Sequence, residues 1–337
     1  MPKVWLPAIV LLLAGVNAHA GTTLERVRQT GTLRCGINQE TPEYSSSDDH
    51  GARAAFDGDL CKAVAVAILG PNARVVTTGY DDDVTSMDAL RTHAVDLLPT
   101  LTLDLTHSVG TGVTFSRPVL YDGVGFLVPV SKGFEQGRQL SGKTVCFLAE
   151  TQVEVALRAW FAEEKLKFVP FPFQEEGEME AAFVTDNCTA LAGDRTRLAT
   201  TRLGFGPLAG RFVMLPDQIS NDPLAAASRA DDPAFAAIVK WTMEVLVLAE
   251  EDGLTQSEAA RHDAGMGVKG SALLGETHET GSELGLDEGW VRRVIAAVGN
   301  YGEIYARDLG SGSPLKLARG QNRLYKDGGL MQALPVK

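Results

Sequence analysis

Cysteine is scarce. The chain has four in 337 residues, Cys35, Cys61, Cys146 and Cys188, and no two are close enough to form a C-x-x-C metal or redox pair. Aromatic residues make up 7% of the chain, and there are six histidines. His19, His50, His93, His107, His262 and His278 do not fall at metal-ligand spacing, and the sequence has neither an HExxH pair nor a GxSxG nucleophile elbow. Metal-centred and nucleophilic catalysis therefore have no local signature, and no cofactor is expected. Basic residues are outnumbered: 31 Lys and Arg stand against 43 Asp and Glu, for a net charge of −12. Such a surface is a poor partner for nucleic acid or anionic membrane.

Long apolar runs are also missing beyond the N-terminus. Residues 1–20, "MPKVWLPAIVLLLAGVNAHA", carry one lysine, an apolar run around Leu6 to Val16, and Ala18-His19-Ala20 where a signal peptidase wants small residues. They read as a secretory leader. The run is too short for a comfortable membrane span, and no cysteine at the cleavage point could accept a lipid. The expected product is exported, soluble and periplasmic. Loss of Lys3 leaves 30 basic against 43 acidic side chains, a net charge of −13. The mature length, about 317 residues, gives a prior of roughly two domains. All four cysteines remain after export to an oxidising compartment. Their spacing favours pairing Cys35 with Cys61 and Cys146 with Cys188, because each pair joins a predicted strand to a nearby element in the same half.

What is present is an alternation of strands and helices. "GTLRCGIN" reads as a strand, "FDGDLCKAVAVAILG" as a helix with Leu60, Val64 and Ile68 on one face, and "ARVVTTG" as a strand, with "SMDALRTHAVDLLPT" a short helix running into a buried strand. A second block from "YDGVGFLVPV" repeats the pattern through "KTVCFLA", "VEVALRAWFAEEK", "KFVPFP", "EMEAAFVTDN" and "CTALAGD". The alternation predicts α/β architecture with mostly parallel sheets covered by helices. A third block carries two long amphipathic helices, "DPAFAAIVKWTMEVLVLAEEDG" and "DEGWVRRVIAAVGNYGEIYARDLG".

Two motifs invite catalytic readings and fail on context. Gly137 to Thr144, "GRQLSGKT", matches the phosphate-loop pattern GxxxxGK[ST], but that motif needs a helix starting at Lys-Thr, and "KTVCFLA" reads as a strand. Asp57 and Asp59 could form an acid/base pair, yet at a helix start such residues mostly cap free N–H groups.

From about Thr23 to Lys337 the chain resembles the periplasmic solute-binding proteins of polar and general L-amino-acid ABC transporters, the type II periplasmic binding proteins. The likeness is strongest in "LRCGIN", "DGDLCKAVA", "FAAIVKWTM", "VGNYGEIYARDLGSGSPLKLARGQNRLYKDGGL" and the cysteine placement. It implies two α/β lobes joined by two crossing strands: lobe 1 over 22–124 plus 220–337 and lobe 2 over 125–219. A small polar solute would be enclosed between them by hinge closure and delivered to an inner-membrane permease by a monomeric, non-catalytic protein.

The resemblance also places a site. Family members hold an amino-acid carboxylate with an arginine five residues after a threonine, because a planar guanidinium gives two parallel charge-assisted bonds. In the stretch "TLTLDLTH", which begins at Thr100, the threonine matches Thr102, while Asp104 stands for a second threonine and His107 for the arginine. In "AETQVE", Glu150 replaces a usual glycine, Thr151 fits and Gln152 departs. Asp194 in "LAGDRT" matches the carboxylate that accepts the ligand ammonium, and Phe56 matches a pocket wall, with Glu40 and Tyr44 on the loop opposite. The inferred pocket has lost a fixed cation and gained carboxylates, and His107 can replace that cation only if Asp104 raises its pKa. Three readings follow: a cleft retuned for a cationic or carboxylate-poor solute, an ordinary amino acid held by other groups, or a degenerate cleft in an accessory or sensory protein with a protein partner. An enzyme is the weakest class, since only His107 with Asp104 could contribute.

Overall fold

The computed structural model describes residues 22–38, 52–80, 82–261 and 278–335; the predicted leader and the loop carrying Glu40 and Tyr44 lie outside them. In chain order the elements are α1 (Thr23–Thr30), β1 (Thr32–Asn38), α2 (Ala52–Leu69), β2 (Arg74–Tyr80), α3 (Asp83–Arg91), β3 (Leu98–Thr102), α4 (Leu105–Ser108), β4 (Val113–Asp122), β5 (Val124–Pro129), β6 (Thr144–Leu148) and α5 (Gln152–Glu163). Then come β7 (Val169–Phe173), α6 (Glu176–Val184), β8 (Ala190–Asp194), α7 (Arg195–Gly204), β9 (Phe212–Met214), β10 (Asp222–Arg229), α8 (Pro233–Glu251), α9 (Gln256–Arg261), α10 (His278–Glu283), α11 (Trp290–Val298) and α12 (Tyr301–Asp308).

Two sheet systems result. In the first, β1 and β2 pair in parallel, and β10 lies antiparallel between β3 and β4. The two parts join where Gly36 donates its N–H to the Leu97 carbonyl at 2.9 Å, beside a parallel bridge between Cys35 and Leu97. The second sheet has the order β7-β6-β8-β5-β9, parallel across β6 and antiparallel around β5. Each has its own core. The first is filled by Leu33, Leu60, Val64, Phe235 and Ile295, and the second by Phe126, Phe147, Leu157 and Phe161. Burying side chains of this size contributes about 1.5–3 kcal/mol each. The expected stripe of α8 is the buried one, with Phe235, Ile238, Val239, Thr242, Val245, Leu246 and Ala249 turned inward. Disulfides Cys35–Cys61 and Cys146–Cys188, at Cα separations of 6.5 and 5.8 Å, tie β1 to α2 and β6 to the segment before β8.

Three local readings meet the structure differently. "GRQLSGKT" does run into a strand, since Thr144 begins β6, and a phosphate loop's helix is not there. Helix α2 starts at Ala52 rather than near Phe56, so Asp57 and Asp59 lie inside the helix, away from the cap position. Asp57 is fully buried and accepts the Thr100 hydroxyl at 2.7 Å, while Asp59 pairs with Arg307. The last predicted long helix is two, α11 and α12. Gly299, at φ 89°, ends the first, and Asn300 and Glu303 cap each other's backbone N–H at 2.9 Å to start the second. That capping box was readable in "NYGE" and outranks the amphipathic period.

The two sheets are connected where β4 passes into β5 and where the chain returns to β10. Gly123 sits at the crossing with φ 158°, and a Cβ there would lie 2.3 Å from the Ser220 carbonyl oxygen. Only glycine permits so close a backbone approach. The crossing is sealed by Ile219 N–H to Val124 O, Gln218 Nε2 to Asp122 O and Val124 N–H to Ser220 Oγ, each at 2.8 Å.

Helix α12 is pinned to α2 by an acidic pair bridged by one arginine. Arg307 donates to Asp59, to Asp308 Oδ1 at 3.1 Å and to the Val298 carbonyl at 3.1 Å. Burial, then the Asp59 charge and its hydrogen bond, raise the Asp308 pKa to about 7. The folded pKa lies above the unfolded value of about 4, so between those pH values the folded state holds a proton that the unfolded state releases. The resulting stabilisation is complete below about pH 4 and is lost as pH rises towards 7. Asp308→Asn, which keeps a neutral donor, is expected to flatten the pH dependence of urea unfolding between pH 4 and 7, by at most a few kcal/mol; an unchanged slope would show that the proton is not shared here.

Candidate functional site

A cleft of about 770 Å³ opens between the two sheets. It lies at the carboxyl ends of β3, β6 and β8, the usual place for a ligand in open α/β sheets. Thr102, Leu103 and Asp104 line one wall with Asp83, and Leu148, Thr151, Gln152 and Asp194 line the other. Asp122, Val124, Ser220 and Asp222 from the crossing segments form the floor. Strand β8 delivers Asp194 as its last residue, immediately before α7 begins. Thr151 precedes α5 and donates its hydroxyl to the Leu148 carbonyl at 2.8 Å, which fixes the turn between β6 and the helix.

Of the residues expected from the sequence, Thr102, Asp104, Thr151, Gln152 and Asp194 are thus brought together. Four others are placed elsewhere. Phe56 is fully buried in the first core, edge-on to Tyr301 at 6.4 Å between ring centres, so it supports the fold rather than forming a wall. Thr100 is buried on its bond to Asp57. His107 lies behind Asp104: its backbone N–H donates to Asp104 Oδ1 at 2.8 Å, and its ring Nδ1 is 2.8 Å from the same oxygen. Asp104 is therefore the cap of α4 as well as a cleft residue. Burial pushes its carboxyl up, but the hydrogen bonds from the His107 backbone and ring outweigh that, and its pKa falls below the usual carboxylate range. Glu150 is exposed on the turn, outside the cleft lining.

The sequence reading expected carboxylates in the cleft but missed Asp83, Asp122, Glu176, Asp222 and Arg197 among its lining residues. Six lining side chains are carboxylates, Asp83, Asp104, Asp122, Glu176, Asp194 and Asp222, and among the described residues Arg197 is the single lining cation. Several are engaged: Asp122 accepts from the Gly123 N–H at 2.8 Å and from the Thr196 hydroxyl, Asp222 from Ser220 Oγ at 2.6 Å, and Glu176 from Arg197. Arg197 could have been found from its spacing. It stands three residues after Asp194, one turn along the helix that opens at the cleft. Glu176 had no local signal, because only the tertiary packing of α6 on α7 brings it there. No helix among the described residues is long and apolar enough to cross a membrane, and none of their acidic, histidine or cysteine groupings could hold a metal ion.

Glu150 has a backbone meaning instead. Its φ is 61°, the left-handed region, which costs a residue with a Cβ about 1–2 kcal/mol and explains why glycine suits this turn. Glu150→Gly keeps the backbone bond to Glu154 Oε2 (3.0 Å) and is expected to stabilise the protein by about 1 kcal/mol after the added unfolded-state freedom is subtracted. Thermal or urea unfolding reads this directly, and a loss of stability would mean that the Glu150 side chain makes a contact that matters.

No protein-family model matches the chain. The putative amino-acid ABC transporter-binding protein YhdW of Escherichia coli O157:H7 is 35% identical over 332 residues, covering 98% of this chain and 97% of that one. The general L-amino acid-binding periplasmic protein AapJ of Rhizobium johnstonii is 34% identical over 330 residues, covering 97% and 96%. Among solved structures, an ABC transporter periplasmic binding protein from Brucella ovis with glutathione bound superposes with a TM-score of 0.76 at 35% identity, over 94% of this chain and all of that one. The Brucella structure superposes over nearly the whole chain, so the fold is shared, and with relatives this similar along nearly the whole length the chain belongs to the family of amino-acid ABC transporter-binding proteins.

Proposed function

We propose that this protein is the periplasmic solute-capturing component of an ABC importer, and that its cleft takes a small solute carrying positive charge and lacking a free α-carboxylate. Residues 22–124 plus 220–337 form one lobe and 125–219 the other. They close on the solute about the crossing at Gly123 and present it, as a monomer, to an inner-membrane permease. The reaction class is binding and release; no bond is made or broken.

The observation that carries the solute preference is the lining itself, which among the described residues has six carboxylates and one guanidinium already held by Glu176. A low-dielectric cleft of one sign focuses its field on the opposite charge. An ammonium or guanidinium would meet Asp194 on one wall and Asp104 on the other, whereas a carboxylate would meet like charge on both. The Brucella relative, solved with glutathione bound, shows that the fold can hold a solute larger than one amino acid. Glutathione is itself an acid, and the residues here suit the opposite charge.

Thermal-shift screening tests the reading. Putrescine, spermidine and agmatine are expected to raise Tm at millimolar concentration, and L-glutamate, L-glutamine and glutathione to leave it unchanged. A larger shift with the acids than with the amines would overturn the proposed preference.

A further inference from the structure

Arg197 and Glu176 form a bidentate pair inside the cleft. Arg197 Nε faces Glu176 Oε1 and Nη2 faces Oε2. Their side chains are 29% and 28% exposed, and both line the cleft, so the pair forms part of the wall that a solute touches. One turn further along each helix, the Thr201 hydroxyl donates to Glu180 Oε1 at 2.9 Å. Glu176 and Glu180 are four apart on α6, and Arg197 and Thr201 are four apart on α7, so two parallel rungs join the same helix faces. Both helices pack on the second sheet, so the pair does not depend on the angle between the lobes.

We infer that Glu176 is the residue that makes the cleft reject carboxylate-bearing solutes, by occupying the guanidinium that would otherwise clamp them. This inference rests on the proposed cation preference. Glu176 takes the Nε–Nη2 edge of the guanidinium bidentately. A solute carboxylate must either expel it or share the cation with it at the Nη1 side, and in both cases it lies beside the Glu176 carboxylate as a like charge in a partly desolvated wall. Expulsion therefore loses what it gains, and either route adds repulsion. Rejection of the wrong solute by an occupied partner is specificity by repulsion. Glutamine at 176 has the same shape without the charge, and a solute carboxylate can outcompete a neutral amide for the fork.

The test is calorimetry with L-glutamate and agmatine as probes on wild type, Glu176→Gln, Glu176→Ser and Glu176→Gln/Arg197→Gln, each checked for native circular dichroism. The single Glu176 variants are expected to bind L-glutamate at least about tenfold more tightly than wild type, and the double variant to lose that gain. Glu176→Ser covers the case in which glutamine refills the gap. Folded Glu176 variants with no gain for L-glutamate, or a gain that survives removal of Arg197, would overturn the role of Glu176. Failure of the underlying preference has a different signature, in which wild type already binds L-glutamate more tightly than agmatine.

Discussion

The close approach of two backbones at Gly123 and the Ser220 carbonyl is the constraint from which the rest of the molecule is arranged. The chain leaves one sheet and returns to it through segments that a single methyl group would force apart. Because they touch, Asp122 and Asp222, register partners on β4 and β10, both lie at the floor of the cleft. The buried Arg195 reinforces the junction from the second half, donating to the carbonyls of Leu215 at 3.0 Å and Asp217 at 2.9 Å. Helix α7 is thereby fixed at its first turn, and with it Asp194 and Arg197.

Electrostatics then follow from position. Carboxylates that cap a helix or seal a turn at the ends of β3 and β10 have structural duties, yet they line the same space as Asp194 at the end of β8. Asp104 shows the double role most clearly, since the hydrogen bonds that make it a cap for α4 also keep it ionised. A cleft assembled this way is anionic as a consequence of its own folding. On the proposed reading, selectivity comes from whether any cation inside it is available, and the single lining guanidinium among the described residues is held by a glutamate.

Legibility in the sequence divided along physical lines. Alternating strand and helix patterns gave α/β architecture, the buried stripe of α8 and the strand character of "KTVCFLA", because these depend on local periodicity. The cysteine pairs were readable because each joins elements of the same half. The reading failed where a local rule competed with a stronger one. The capping box at Asn300 and Glu303 splits a continuous amphipathic run, and α2 extends a full turn before Phe56, which moves Asp57 and Asp59 from cap positions to the helix interior. At the site, resemblance brought Thr102, Asp104, Thr151, Gln152 and Asp194 to the cleft. It placed Phe56 in a wall, whereas the structure buries that ring in the core, and it placed Glu150 in the pocket, whereas the structure sets it exposed on a left-handed turn. Glu176 and its hold on Arg197 arise from packing between helices about twenty residues apart, which no local pattern encodes.

The most direct measurement of the central claim compares two solutes that differ by one group. L-Arginine and agmatine share a guanidinium and an ammonium, and only arginine carries a carboxylate. Calorimetric titration of the wild-type protein at neutral pH and low salt is expected to show agmatine binding more tightly, by about tenfold or more. Arginine binding tenfold more tightly than agmatine would show that the cleft still captures a free carboxylate, contradicting the account.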